Sequence, residues 1–150
     1  MTPSERKPTY LEALKDRVLI FDGAMGTTID TFNLTAEDYG GERTHGNRDY
    51  LVITRPDVIE QIHSSFMDAG CDVLETNTFQ ATRLRMEEWG LGQRTVEINR
   101  AAAQLARRVA DRYQAQDGRP RYVCGSIGPT GKLPSSDDPA LSDVTFDQLS

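Results

Sequence analysis

Residues 56–79 read PDVIEQIHSSFMDAGCDVLETNTF, and the way this stretch divides decides the fold. Val58, Ile59, Ile62, Phe66 and Ala69 recur at helical spacing, Thr54 offers a cap, Pro56 and Asp57 suit a first turn, and Gly70 supplies a stop. Cys71, Asp72, Val73 and Leu74 follow at once and read as a strand that ends in the polar run Glu75 to Phe79. A helix passing straight into a strand is half of a strand-helix-strand crossover, which sets the two strands parallel.

Working outward, the same grammar lies on both sides. Upstream, Val18 to Phe21 is apolar at successive positions, as expected of a strand covered on both faces, and runs into Asp22 and the glycine-bearing turn GAMGT. Downstream, helical sequence at Ala81 to Trp89 breaks at Gly90-Leu91-Gly92 and resumes from Thr95 to about Gln114, with Val96, Ala103, Leu105 and Val109 available for burial. The polar turn QDGRP then leads to a third strand, Tyr122 to Gly125, which ends in SIGPTG. Parallel strands bring DGAMGT, ETNTF and GSIGPTG to one face, where α/β sheets and barrels carry their chemistry. The polar segment Asp30 to Leu51 shows no sustained period and reads as a long loop over one end, a candidate lid. Tyr10 to Asp16 reads as a short helix packing through Leu11 and Leu14, and Asp143 to Ser150 as the start of another, capped by Asp143 or Thr145 with Phe146 and Leu149 inward. Three strands alone leave an unprotected sheet edge, so the 150 residues are expected to belong to a longer fold.

With 37% hydrophobic and 27% charged residues the chain has the composition of a soluble globular domain. Its net charge of -6, with Lys and Arg scattered, argues against nucleic acid or an anionic membrane as partner. The first residues lack the apolar centre of a secretory signal, and no run reaches the roughly 18 apolar residues of a membrane span. The cytoplasm is the expected location, with Cys71 and Cys124 reduced and buried.

Asp22 beside Gly23, Ala24, Met25 and Gly26 sets an acid next to backbone N–H groups that can form an anion nest, an arrangement suited to a zwitterion. Asp22 acting only as a turn cap is the alternative. Glu75 and Asn77 alternate on a strand end and point the same way, with Thr76 and Thr78 opposite, although Arg83 could neutralise Glu75 structurally. Ser126 and Thr130 supply hydroxyls beside a Gly-Pro turn that is also ordinary turn chemistry. No C-x-x-C or H-E-x-x-H spacing occurs, and His45 and His63 read as surface residues. Neither a Ser-His-Asp nor a Cys-His arrangement is present.

Together, FDGAMGT, GNRDYLVITRPDVIEQIHSSFMDAGCDVLETNTF, EINRAAAQLAR and PRYVCGSIGPTGKLPS resemble the homocysteine S-methyltransferase family from about Arg17 onward. The ending DDPALSDVTFDQL resembles the cobalamin-dependent methionine synthases within it. The resemblance implies a (β/α)8 TIM barrel of which this chain covers about the first three β/α units, residues 18–150, preceded by a helical extension over residues 1–17. It implies methyl transfer to homocysteine to make methionine, with methylcobalamin as donor, recharged by methyltetrahydrofolate on other modules. A zinc ion would hold the homocysteine thiolate, its cysteine ligands expected beyond Ser150, so the isolated chain is not expected to be active. The implied partners are homocysteine and a cobalamin-binding module. On the matched positions, the Gly23-Ala24-Met25 backbone would take the homocysteine carboxylate and Asp22 its ammonium, with Glu75 and Asn77 lining the same mouth. Two other readings stay open: a self-contained small-molecule-binding α/β module covered by a partner subunit, and a pterin-binding barrel methyltransferase.

Overall fold

The computed structural model describes residues 7–149, so residues 1–6 of the expected extension and Ser150 of the last expected helix lie outside it. Helix α1 (Tyr10–Asp16) starts at a reciprocal cap in which Thr9 Oγ1 accepts the Glu12 N–H and the Glu12 carboxylate accepts the Thr9 N–H. Its inner side is Ala13, with Tyr10 packed edge-on to Phe21 and Tyr122, whereas Leu11 and Leu14 are exposed, contrary to the sequence expectation. Short α2 (Met25–Asp30) follows the glycine turn, and α3 (Leu51–Thr54) precedes α4 (Pro56–Asp68). Thr54 thus ends one helical turn instead of capping the next, and Arg55 stands at the start of α4.

Strand β1 (Val73–Glu75) pairs in parallel with β2 (Tyr122–Cys124), Val73 opposite Tyr122 and Glu75 opposite Cys124. Between them run α5 (Arg83–Glu87) and the long α6 (Thr95–Asp117), ended by Gly118 in the left-handed conformation. On the other edge of β1, Phe21 joins by a single parallel bridge to Val73, with the Asp22 N–H donating to Val73 O and the Val73 N–H to Ile20 O. The strands therefore lie in chain order. The first is less than the strand expected at Val18 to Phe21: Leu19 is buried, but Val18 and Ile20 are exposed, since no described element covers their face.

Helices α4 and α6 pack on one side of this sheet and on each other, and their shared core includes Ile59, Ile62, Leu74, Ile98 and Leu105. The buried stripe of α6 is Ile98, Ala102, Leu105, Ala106, Val109 and Ala110; Val96 and Ala103, expected inward, face out. On α4, His63 and Met67 are buried where Phe66 is half-buried and Ala69 exposed. The segment expected as a long loop contains 3-10 turns at Glu42–Thr44 and Arg48–Tyr50 and sends Tyr39, Asn47, Asp49 and Tyr50 into the interior. Pins at irregular spacing leave no period to read. At the C-terminal end, α7 (Pro139–Ser142) is capped by Asp138 and α8 (Phe146–Leu149) by Thr145, which exchanges bonds with Gln148; Phe146 is exposed, not inward.

Below the sheet, Asp72 fastens three segments. Its buried carboxylate accepts bonds from Arg17 Nη1 and Nη2 at 2.8 and 2.9 Å, from Arg119 at 3.1 Å and from the Ile20 N–H at 3.0 Å. Burial alone would raise its pKa, but the Arg17 and Ile20 bonds outweigh it and hold the group below the usual carboxylate range. Both cysteines are free; Cys71 is buried as expected, but Cys124, at the end of β2, is exposed. Among the described residues no helix is long and apolar enough to cross a membrane.

Candidate functional site

The polar ends of the three parallel segments meet at one cavity of about 370 Å³. Asp22, Gly23, Ala24 and Met25 line it from the first, Glu75 and Asn77 from the second and Ser126 from the third. Thr130 is not in the lining; its hydroxyl is spent in a local turn with Lys132. Parallel pairing in register is what gathers residues about fifty positions apart, because strands running the same way end on the same side.

Asp22 is turned inward. Its side chain is 3% exposed, with Oδ1 accepting the Glu75 N–H at 2.8 Å and Oδ2 lying 3.5 Å from His63 Nδ1. The carboxylate therefore bolts the end of the first segment to β1 while bordering the cavity. Next to it Ala24 takes a left-handed conformation (φ 49°), and α2 begins without a side-chain cap. The first N–H groups of that turn are thus left open at the cavity that Met25 and Gly26 line. A non-glycine residue held left-handed costs roughly 1 kcal/mol, a strain typical of built sites.

Asn77 is buried and donates through Nδ2 to the Arg48 carbonyl at 2.8 Å, pinning the 3-10 turn to the end of β1. Thr76 and Thr78 share a 2.7 Å hydroxyl bond and clasp Ser126, Thr76 accepting its N–H and Thr78 donating to its carbonyl. This clasp fixes the spacing of the β1 and β2 ends. Glu75 forms no ion pair with Arg83 among the described residues and stays half-buried on the cavity wall.

The sequence reading did not single out Arg48, Asp49, Phe79 or Gln80, all of which line the cavity. For Arg48, Asp49 and Phe79 the only signal was their presence within the motif runs, and Gln80 directly follows one. Arg48, at the rim, is held by Asp30 at 2.8 and 2.9 Å. Asp49 accepts the Gln80 N–H at 2.6 Å, and burial pushes its pKa up to about 6 against that bond. His63, expected at the surface, is fully buried, because α4 turns that side of its helix toward Asp22. Cys71 is raised to about 11 by burial and by the Asp22 charge, which makes it an inert thiol.

The site offers acids at Asp22, Asp49 and Glu75, open backbone donors and one rim cation, a set that complements an amino-acid zwitterion. It does not offer a metal centre: among the described residues no three His, Cys, Asp or Glu side chains are placed to hold an ion.

Residues 19–150 match the family model described as homocysteine S-methyltransferase. The chain is also similar to the crystal structure of the homocysteine methyltransferase MmuM from Escherichia coli in its metallated form, at 25% identity and a TM-score of 0.64 over 79% of this chain and 41% of that one. The oxidized form of MmuM gives 25% identity and a TM-score of 0.64 over 83% of this chain and 42% of that one. The chain thus spans well under half the length of these neighbours.

Proposed function

From a chain that belongs to the homocysteine S-methyltransferase family, we propose methyl transfer to homocysteine to give methionine, with these residues supplying the amino-acid end of the site in a (β/α)8 barrel. The carrying observation is the convergence of Asp22, the Gly23-Ala24-Met25 backbone, Glu75 and Asn77 on one cavity of about 370 Å³, within the roughly 300–1,000 Å³ usual for small-molecule sites. In this reading residues 1–17 are an extension and 18–150 the first part of the barrel.

The residues here bind and orient. Open N–H groups at Ala24 and Met25 receive the substrate carboxylate, and Asp22 and its acidic neighbours receive the ammonium. With both ends of the amino acid fixed, the thiol side chain is aimed in one direction, and alignment is the main requirement for displacement at a methyl carbon. Zinc, which would supply a thiolate at neutral pH, does not fit the described residues; in this reading its ligands come from outside these 150 residues. The ending DDPALSDVTFDQL supports the finer reading of a cobalamin-dependent methionine synthase, with methylcobalamin as donor, methyltetrahydrofolate as its source, a cobalamin-binding module as partner and the cytoplasm as location.

The test is homocysteine affinity by calorimetry. Asp22→Asn keeps an oxygen for the Glu75 N–H but removes the charge, and is expected to weaken binding by about 1.5–3 kcal/mol. Unchanged affinity for homocysteine, or preferential binding of methyltetrahydrofolate over homocysteine by the 150-residue chain, contradicts the assignment.

A further inference from the structure

His63 is the one histidine on α4 and lies behind Asp22, outside the cavity lining. Its side chain is 0% exposed, and neither Nδ1 nor Nε2 has a hydrogen-bond partner by strict geometry. Burying a polar ring in this way is costly if nothing compensates it, so an apolar residue would be the better core filler. The compensating group is in view: Asp22 Oδ2 is 3.5 Å from Nδ1, and Asp22 Oδ1 is already held by the Glu75 N–H at 2.8 Å.

We propose that His63 is a positioning residue whose Nδ1–H donates to Asp22 Oδ2, so that the carboxylate is clamped from two sides and presents its remaining lone pairs to the ammonium of a bound amino acid. The amino-acid part of this proposal rests on the function proposed above. The chemistry of the pair allows one neutral tautomer. With the proton on Nε2, the Nδ1 lone pair would face a carboxylate lone pair at close range inside a low-dielectric interior, a repulsive arrangement. With the proton on Nδ1, one donor serves each oxygen. An ionised carboxylate has about four lone-pair sites, so two are left for the ligand. The clamp also explains how a 3% exposed carboxylate stays fixed at a cavity wall, since a side chain held at both oxygens cannot rotate to follow another donor.

The measurement is long-range proton–nitrogen NMR on protein labelled in its histidines, joined to homocysteine titrations. His63 Nδ1 is expected to carry the proton, and Asp22→Asn is expected to move the His63 signals while leaving those of His45 in place. His63→Leu keeps bulk but removes the donor and is expected to weaken homocysteine binding about tenfold. His63→Asn, whose amide nitrogen falls near the Nδ1 position, is expected to recover most of that loss, which a purely structural role would not predict because Asn leaves the larger void. A proton on Nε2 alone, or wild-type affinity in His63→Leu, overturns the proposal. Failure of the unmodified protein to bind homocysteine overturns the proposed function and the ammonium role with it; the tautomer measurement decides the Asp22–His63 bond by itself, even if His63→Leu does not fold.

Discussion

Asp49 sits in the run GNRDYL, where neither period nor spacing marks it for burial, yet it is 6% exposed at the cavity wall. Its pKa is raised from 3.8 to about 6 because burial disfavours the charged form more than the Gln80 N–H favours it. The folded state therefore holds a proton that the unfolded chain has released between about pH 4 and 6, and stability falls as pH rises through that window and levels off above it. Asp49→Asn retains an oxygen for the Gln80 N–H and is expected to remove this slope, gaining up to about 3 kcal/mol at pH 7. Urea unfolding of both proteins from pH 4 to 7 checks this, and a stability difference that does not change with pH contradicts it. Asp72, whose shift runs the other way, is common to both and cancels. Such single-residue facts were the least legible in advance. Asp22 was singled out by its place between a strand and a glycine turn, but His63 and Asp49 have surroundings made by residues distant in the chain.

At the scale of elements, the third strand end is placed by a close approach. The Gly128 N–H donates to the Phe79 carbonyl at 2.8 Å, and a Cβ on Gly128 would run into that carbonyl and the Phe79 ring. Because the obstacle is backbone, Gly128→Ala is expected to destabilise by about 1–3 kcal/mol, whereas Gly23→Ala, whose Cβ meets nothing within 4 Å, should stay within about 0.5 kcal/mol in stability. Equal thermal shifts in the two variants would contradict the packing of the GSIGPTG turn on Phe79. Helices α1, α4 and α6 and both paired strands were readable because each has a local signal: a cap, an N-terminal proline, a glycine stop or an apolar run. Their inward faces were less so. Leu11, Leu14, Val96, Ala103 and Phe146 are apolar but exposed, since hydrophobicity states what a residue tolerates and only the neighbouring element decides which side is covered.

For the whole molecule, the cavity joins acids to open backbone N–H groups, the set proposed above to take an amino acid. Among the described residues the acids Asp22, Asp49 and Glu75 border the same space but are not grouped to hold an ion, and Cys71 is buried and inert. The purified 150-residue chain, washed with a weak chelator, is accordingly expected to retain far less than one zinc per chain. About one zinc retained would mean a tight site of three or four ligands that the described residues do not form. The amino-acid sequence by itself determined the order of strands and helices and their parallel direction, and hence that DGAMGT, ETNTF and GSIGPTG share an end, because periodicity, caps and glycine stops act over a few residues and crossover geometry does the rest. Only the tertiary structure decided that the Glu75 N–H holds Asp22 Oδ1, that His63 lies buried 3.5 Å from Oδ2 and that Asp49 and Arg48 enter the cavity. Each of those facts is a contact between segments tens of positions apart, set by how α4 and the 3-10 turns pack against the strand ends and by the low dielectric that packing creates.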